Sequence, residues 1–85
     1  MKQIEYEIQD ELGIHARPAG LIVRKAKEFQ SAVHIIADDK RANALKIFEV
    51  MGLGAVKGQK LEIEISGPDE DAAAVAFGEF LKATL

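Results

Sequence analysis

The chain contains no cysteine and no tryptophan, and only two prolines and two histidines. Without cysteine there is neither a disulfide nor a thiolate metal site, which fits a reducing compartment. No apolar run approaches the ~20 residues a membrane-spanning helix needs. The opening "MKQIEYEIQD" alternates in polarity where a targeting signal would carry an apolar block. These absences predict a cytoplasmic protein with no membrane insertion. Positive charge is also in deficit, with 11 Lys and Arg against 14 Asp and Glu and a net charge of −3. That balance argues against general nucleic-acid affinity. At 85 residues the sequence reads as one domain over 1–85, just large enough for a core without staples.

Seven segments follow from periodicity. Ile4, Tyr6 and Ile8 alternate with polar neighbours, as in a half-buried strand. From His15 to Phe29 the spacing becomes helical, with Ala19, Ile22, Val23, Ala26 and Phe29 on one face. Arg17, Arg24 and Lys27 fall opposite, with Gly20 between them. "AVHIIA" is a strand with Val33 and Ile35 inward, Asp38-Asp39 a turn, and a short strand runs to Asn43. "LKIFEVMGLG" reads as a short helix stopped by glycine. "KLEIEIS" is a clean strand with Leu61, Ile63 and Ile65 facing one way. Gly67-Pro68 breaks it, and Asp69 is expected to cap a last helix buried through Ala73, Ala76, Phe77, Phe80 and Leu81. The order βαββαβα, without repeat or linker, predicts an α+β fold, a two-layer sandwich.

Most candidate chemistry fails on spacing. "GLGAVKGQK" lacks both the P-loop and the dinucleotide pattern, so its glycines read as a helix stop and a turn. His15 and His34 stand 19 residues apart with no cysteine, and Asp69-Glu70-Asp71 lacks a calcium loop's glycine, so no metal or cofactor is called for. His34 and the strand glutamates read as a solvated face.

The stretch "GIHARPAG", Gly13 to Gly20, is different. Pro18 cannot continue a strand, but it costs no hydrogen bond in the first turn of a helix. The reading is a turn at Gly13 and a helix starting near His15. A helix start offers free N–H groups and a positive dipole end, and Arg17 adds a planar cationic fork. A neutral imidazole there is a nucleophile, and a phosphoryl group on it would bring roughly −1.5 to −2 charges for those donors to meet. The small Ala16, Ala19 and Gly20 leave room for a docking protein. From the histidine and arginine alone, an ordinary exposed histidine at a helix start accounts for the residues equally well.

"GIHARPAG", "KIFEVMGLG" and "KGQKLEIEISGPDEDAA" together closely resemble the histidine-containing phosphocarrier (HPr) family, from about Gln3 to Leu81. The resemblance implies an open-faced sandwich, with a four-stranded antiparallel sheet covered by three helices. It implies a cytoplasmic, monomeric relay of the phosphoenolpyruvate-dependent sugar phosphotransferase system that is not an independent catalyst. In that family the histidine accepts a phosphoryl group from enzyme I and passes it to the IIA domain of a sugar permease. Carried over, His15 is phosphorylated, Arg17 is its electrostatic partner and Pro18 helps set the helix start. The docking patch beside it is then Gly20, Ile47, Phe48 and Met51; from the residues themselves, Ala16 and the basic stripe of Arg24 and Lys27 are expected to add to the partner-binding surface.

Two positions depart from the family pattern. Many Gram-positive relatives carry a regulatory serine just before the short helix, where this chain has Lys46 preceded by Leu45. After Phe48, where relatives commonly have Gly or Lys, it has Glu49, expected to put a negative charge at the rim of the partner contact. Two rivals to the general carrier follow: a paralogous carrier dedicated to one partner, and a regulatory binding module without phosphate.

Overall fold

Alternation sorts the strands of the computed structural model, which describes residues 1–85, into one inner and one outer face. The elements run β1 (Lys2–Glu7), α1 (Ala16–Ala26), β2 (Ala32–Ala37), β3 (Lys40–Asn43), α2 (Ile47–Gly52), β4 (Lys60–Ser66) and α3 (Glu70–Thr84). The four strands form one antiparallel sheet in the order β1-β4-β2-β3. Ile4, Ile63 and Ile35 lie side by side in register, as do Tyr6, Leu61 and Ala37. Their inner face meets the helices, and Ile35, Leu61, Ile63 and Ile65 are buried there. The other face carries Glu5, Glu7, Glu62, Glu64, His34 and Arg41 and has no covering layer. That accounts for two layers rather than three: four carboxylates on one face cannot be dried by a second set of helices.

The third helix closes the core through Ala73, Phe77 and Leu81, one residue per turn. Phe77 sits between Phe29 and Phe80, at 6.2 and 6.0 Å between ring centroids, in the tilted and edge geometries aromatic pairs favour. Removing such a ring from a packed core costs about 3–5 kcal/mol.

Two expectations change. The first helix ends at Ala26, not Phe29, because Glu28 and Phe29 donate to carbonyls three residues back (3.1 and 3.3 Å) and tighten the chain into a turn. Phe29 is still packed on the core, so its apolar spacing suits a turn as well as a helix. Asp69 occupies the cap position of α3 but makes no capping bond to that helix. Its carboxylate accepts the Gln30 N–H at 2.9 Å and the Ser31 hydroxyl, and so ties the α1–β2 connection to the start of α3. Those bonds, the Ser31 hydroxyl first and the Gln30 N–H second, hold the Asp69 carboxyl below its ordinary pKa, against an opposing desolvation cost.

Candidate functional site

Gly13 begins the site. Its φ of +65° is left-handed, and a Cβ there would lie 2.2 Å from the Ala55 carbonyl oxygen. Only glycine allows the loop to approach this closely, and the next residue exploits it: the Ile14 N–H donates to that same oxygen at 3.1 Å. The chain then turns into His15, the N-cap of α1, in extended conformation (φ −96°, ψ −173°). The His15 carbonyl accepts the Ala19 N–H at 3.0 Å, closing the first helical turn. Ahead of Ala19, the N–H groups of Ala16 and Arg17 have no protein partner, and Pro18 has none to offer. Pro18 is buried, which anchors the helix start, whereas the His15 side chain is 36% exposed. No acidic residue stands in the first turn of α1. Two free donors and a dipole end point out of the protein beside an accessible imidazole.

A cavity of about 110 Å³ opens at this point, lined by Asp10, His15, Arg17, Pro18, Leu21, Ala83 and Thr84. Arg17 and His15 line the same recess. Asp10 and the α3 end were not foreseen. Asp10 lies 3.9 Å, Oδ2 to Nε2, from the imidazole, and its Oδ1 accepts the Leu12 N–H at 2.8 Å. Local sequence announces such an Asx turn, but not that it faces His15. Thr84 arrives only because the Leu85 oxygen accepts the N–H groups of Gln9 and Asp10 (2.6 and 2.7 Å), a contact invisible to periodicity.

Beside the imidazole, α1 and α2 meet at Gly20. A Cβ added there would be 3.8 Å from Ile47 Cδ1, an ordinary contact, so α1 and α2 approach closely at this point. Phe48 is 83% exposed and Met51 36%. An aromatic ring left this open is surface available to a partner. Ala16 is exposed beside His15, and Arg24 on α1 and Lys27 just beyond its end are exposed. At 1.5 Å per residue, Arg24 and Lys27 stand about 14 and 18 Å from His15 along the axis, too far to touch a group on the imidazole. His34 is remote, on the uncovered sheet face between Glu64 and Asn43.

Lys46 is the N-cap of α2 and makes no capping bond. Two local bonds hold the segment before it: Glu49 Oε1 accepts the Asn43 N–H at 3.0 Å, and Asn43 Oδ1 accepts the Leu45 N–H at 2.9 Å. Glu49 is therefore turned back to brace the start of α2, where the sequence suggested a charge aimed at a partner. Ser31 is buried with its hydroxyl given to Asp69, and Ser66 is exposed at the end of β4.

The family model described as "PTS HPr component phosphorylation site" matches residues 2–83. The phosphocarrier protein HPr of Lysinibacillus sphaericus is 41% identical over 81 residues, covering 95% of this chain and 92% of that protein. HPr-C-His from Thermoanaerobacter tengcongensis superposes with a TM-score of 0.91 at 34% identity, over 99% of this chain and 94% of the other. Crh of Bacillus subtilis, described as a catabolite repression containing protein in a swapped dimer, superposes with a TM-score of 0.78 at 30% identity, over 100% and 98%. With a family match of this span and a relative this similar over nearly its whole length, the chain belongs to the HPr phosphocarrier family of the phosphotransferase system.

Proposed function

We propose that this protein is the relay between enzyme I and the IIA domains of sugar permeases, with His15 as its phosphoryl acceptor. The observation that carries the reading is the accessible imidazole at the N-cap of α1, next to the unpartnered N–H groups of Ala16 and Arg17. His15 Nε2 faces the Asp10 carboxylate, so the other nitrogen, Nδ1, is the one a dianionic group can occupy without meeting another anion. The Nδ1 lone pair forms the bond to phosphorus as the donor's bond to phosphorus breaks. Onward transfer returns the electron pair of the N–P bond to Nδ1. The Arg17 guanidinium and the two free N–H groups stabilise the charge in between. The partners supply most of the rate by positioning. Gly20, Ile47, Phe48 and Met51 form the docking surface, and Arg24 and Lys27 attract acidic partners at longer range.

The relay works in the cytoplasm as a monomer and needs no cofactor, nucleic acid or membrane insertion. The test is incubation with phosphoenolpyruvate and enzyme I, then intact mass at neutral and at acidic pH. One acid-labile phosphoryl group is expected on the protein and on His34→Ala, and none on His15→Ala. A phosphoryl group on His15→Ala refutes the assignment. Serine-directed control is absent in this reading, since Lys46 offers no hydroxyl and Ser31 is engaged with Asp69. A stable phosphoserine after treatment with an HPr-directed kinase and ATP would overturn that part.

A second reading, a paralogous carrier or regulatory module for one partner, is favoured by the similarity to Crh and by Lys46. Equal transfer to several unrelated IIA domains would dismiss it.

A further inference from the structure

We infer that Asp10 is a positioning residue for this transfer, its carboxylate holding the Nε2 side of His15 and favouring the form of the ring that carries a proton there. The inference rests on the proposed relay for its function, but not for its geometry. Asp10 is unusually well fixed for a loop residue. Its Oδ1 accepts the Leu12 N–H (2.8 Å), its backbone N–H donates to the Leu85 oxygen (2.7 Å) and its carbonyl accepts the Gly13 N–H (3.0 Å). With one oxygen committed to the turn, Oδ2 is left at 3.9 Å from His15 Nε2 in the shared cavity. That is an electrostatic contact and not a hydrogen bond in the resting protein. Contacts of this kind tighten in the reacting complex.

The consequence follows from the charge on the ring. A nearby negative charge favours a proton on the imidazole nitrogen that faces it. A carboxylate at Nε2 favours Nε2–H and leaves the Nδ1 lone pair for attack. When that lone pair bonds to phosphorus, the ring retains Nε2–H and becomes cationic, which Asp10 stabilises. When the N–P bond then breaks toward the acceptor, the same Nε2–H lets the ring leave as neutral imidazole rather than as an anion. Asp10 thus acts on both halves of the relay without touching phosphorus. The other charged group of the cavity is Arg17 on α1, while α3 contributes only Ala83 and Thr84. Glu11, the nearest acidic neighbour in sequence, is drawn to Lys57 at 3.7 Å. No second carboxylate lines the cavity to duplicate the effect.

The test is Asp10→Asn, which keeps an oxygen for the Leu12 N–H and removes the charge. Two readouts are taken. The first is the nitrogen-15 signals of the His15 ring in the unphosphorylated protein, which report the fraction protonated at Nε2. That fraction should fall. The second is the pH profile of phosphoryl loss after loading with phosphoramidate, a reagent that phosphorylates histidine without a protein donor. The profile should move to lower pH at low salt, and high salt should shrink the difference. Nitrogen signals or a profile identical to wild type would overturn the inference, as would a change confined to the thermal midpoint. Because neither readout uses enzyme I, failure of enzyme I to load His15 would refute the relay and leave this result readable.

Discussion

Replacing Gly13 with alanine tests the link from one backbone angle to the whole site. The residue is held at φ +65°, and a Cβ would stand 2.2 Å from the Ala55 oxygen and 2.9 Å from the Val56 Cα. Both neighbours are backbone, so no side chain can swing aside. A Cβ in the left-handed region costs ~1–2 kcal/mol by itself. Relief of the clash must also break or stretch the bond from the Ile14 N–H to the Ala55 oxygen, worth ~1 kcal/mol. The expected loss is ~3 kcal/mol, or a fall of about 12–24 °C in thermal midpoint for a domain of this size. Gly20→Ala is the matched control. It sits inside α1, its Cβ would make an ordinary 3.8 Å contact with Ile47 Cδ1, and alanine favours a helix interior over glycine by up to ~1 kcal/mol. The same chemical change should therefore destabilise at one glycine and be neutral or stabilising at the other. The assay is urea unfolding followed by circular dichroism, with phosphoryl loading measured well below both midpoints. Gly13→Ala should load slowly even where folded, since His15 hangs from the displaced loop. A loss below ~1 kcal/mol at Gly13, or equal shifts at both glycines, would refute the steric account.

Arg17→Ala should slow phosphoryl loading at least tenfold with little change in thermal midpoint, because a cation in the first turn opposes the dipole and gives the helix nothing; a collapsed midpoint with normal loading would make Arg17 structural. Glu49→Ala should lower the midpoint by a few degrees through loss of the Asn43 bond, read by thermal melts, whereas an unchanged midpoint with an altered preference among enzyme I donors would return Glu49 to the partner rim. Asp69 titrates below its ordinary value in the folded protein, so its contribution is complete above the unfolded value and is lost as pH falls through the folded one. Asp69→Asn should therefore lose stability near neutral pH and flatten the acid limb of the stability curve below about pH 4; an unchanged acid limb would deny Asp69 that role.

Strands were legible because alternation is a strong signal where one sheet face is dry and the other wet. Ile4, Ile63 and Ile35 announce the inner face, and the intervening glutamates the outer one. The helix start at His15 was legible because proline and glycine have few other uses in "GIHARPAG". Hydrogen bonds between distant segments were not. Asp69 reads as a cap for its own helix, yet its partners are Gln30 and Ser31, which topology alone brings near. Glu49 reads as a surface charge for the same reason: nothing in its neighbourhood names Asn43 as a partner. Asp10 and Thr84 join the imidazole only once the Leu85 oxygen has met the first loop.

The strand order has a consequence for how the chain is made. β4 lies between β1 and β2, although it is the last strand to leave the ribosome. Until Lys60–Ser66 has emerged, β1 has nothing to pair with, and the apolar rows of β1 and β2 remain open. Contacts across such sequence distances are closed late and make folding slow. For most of its synthesis the nascent chain therefore exposes strand edges to any neighbour that can pair with them. A chain cut before Lys60 would already hold His15, α1 and the β2–β3 hairpin but would lack the strand that joins β1 to that hairpin.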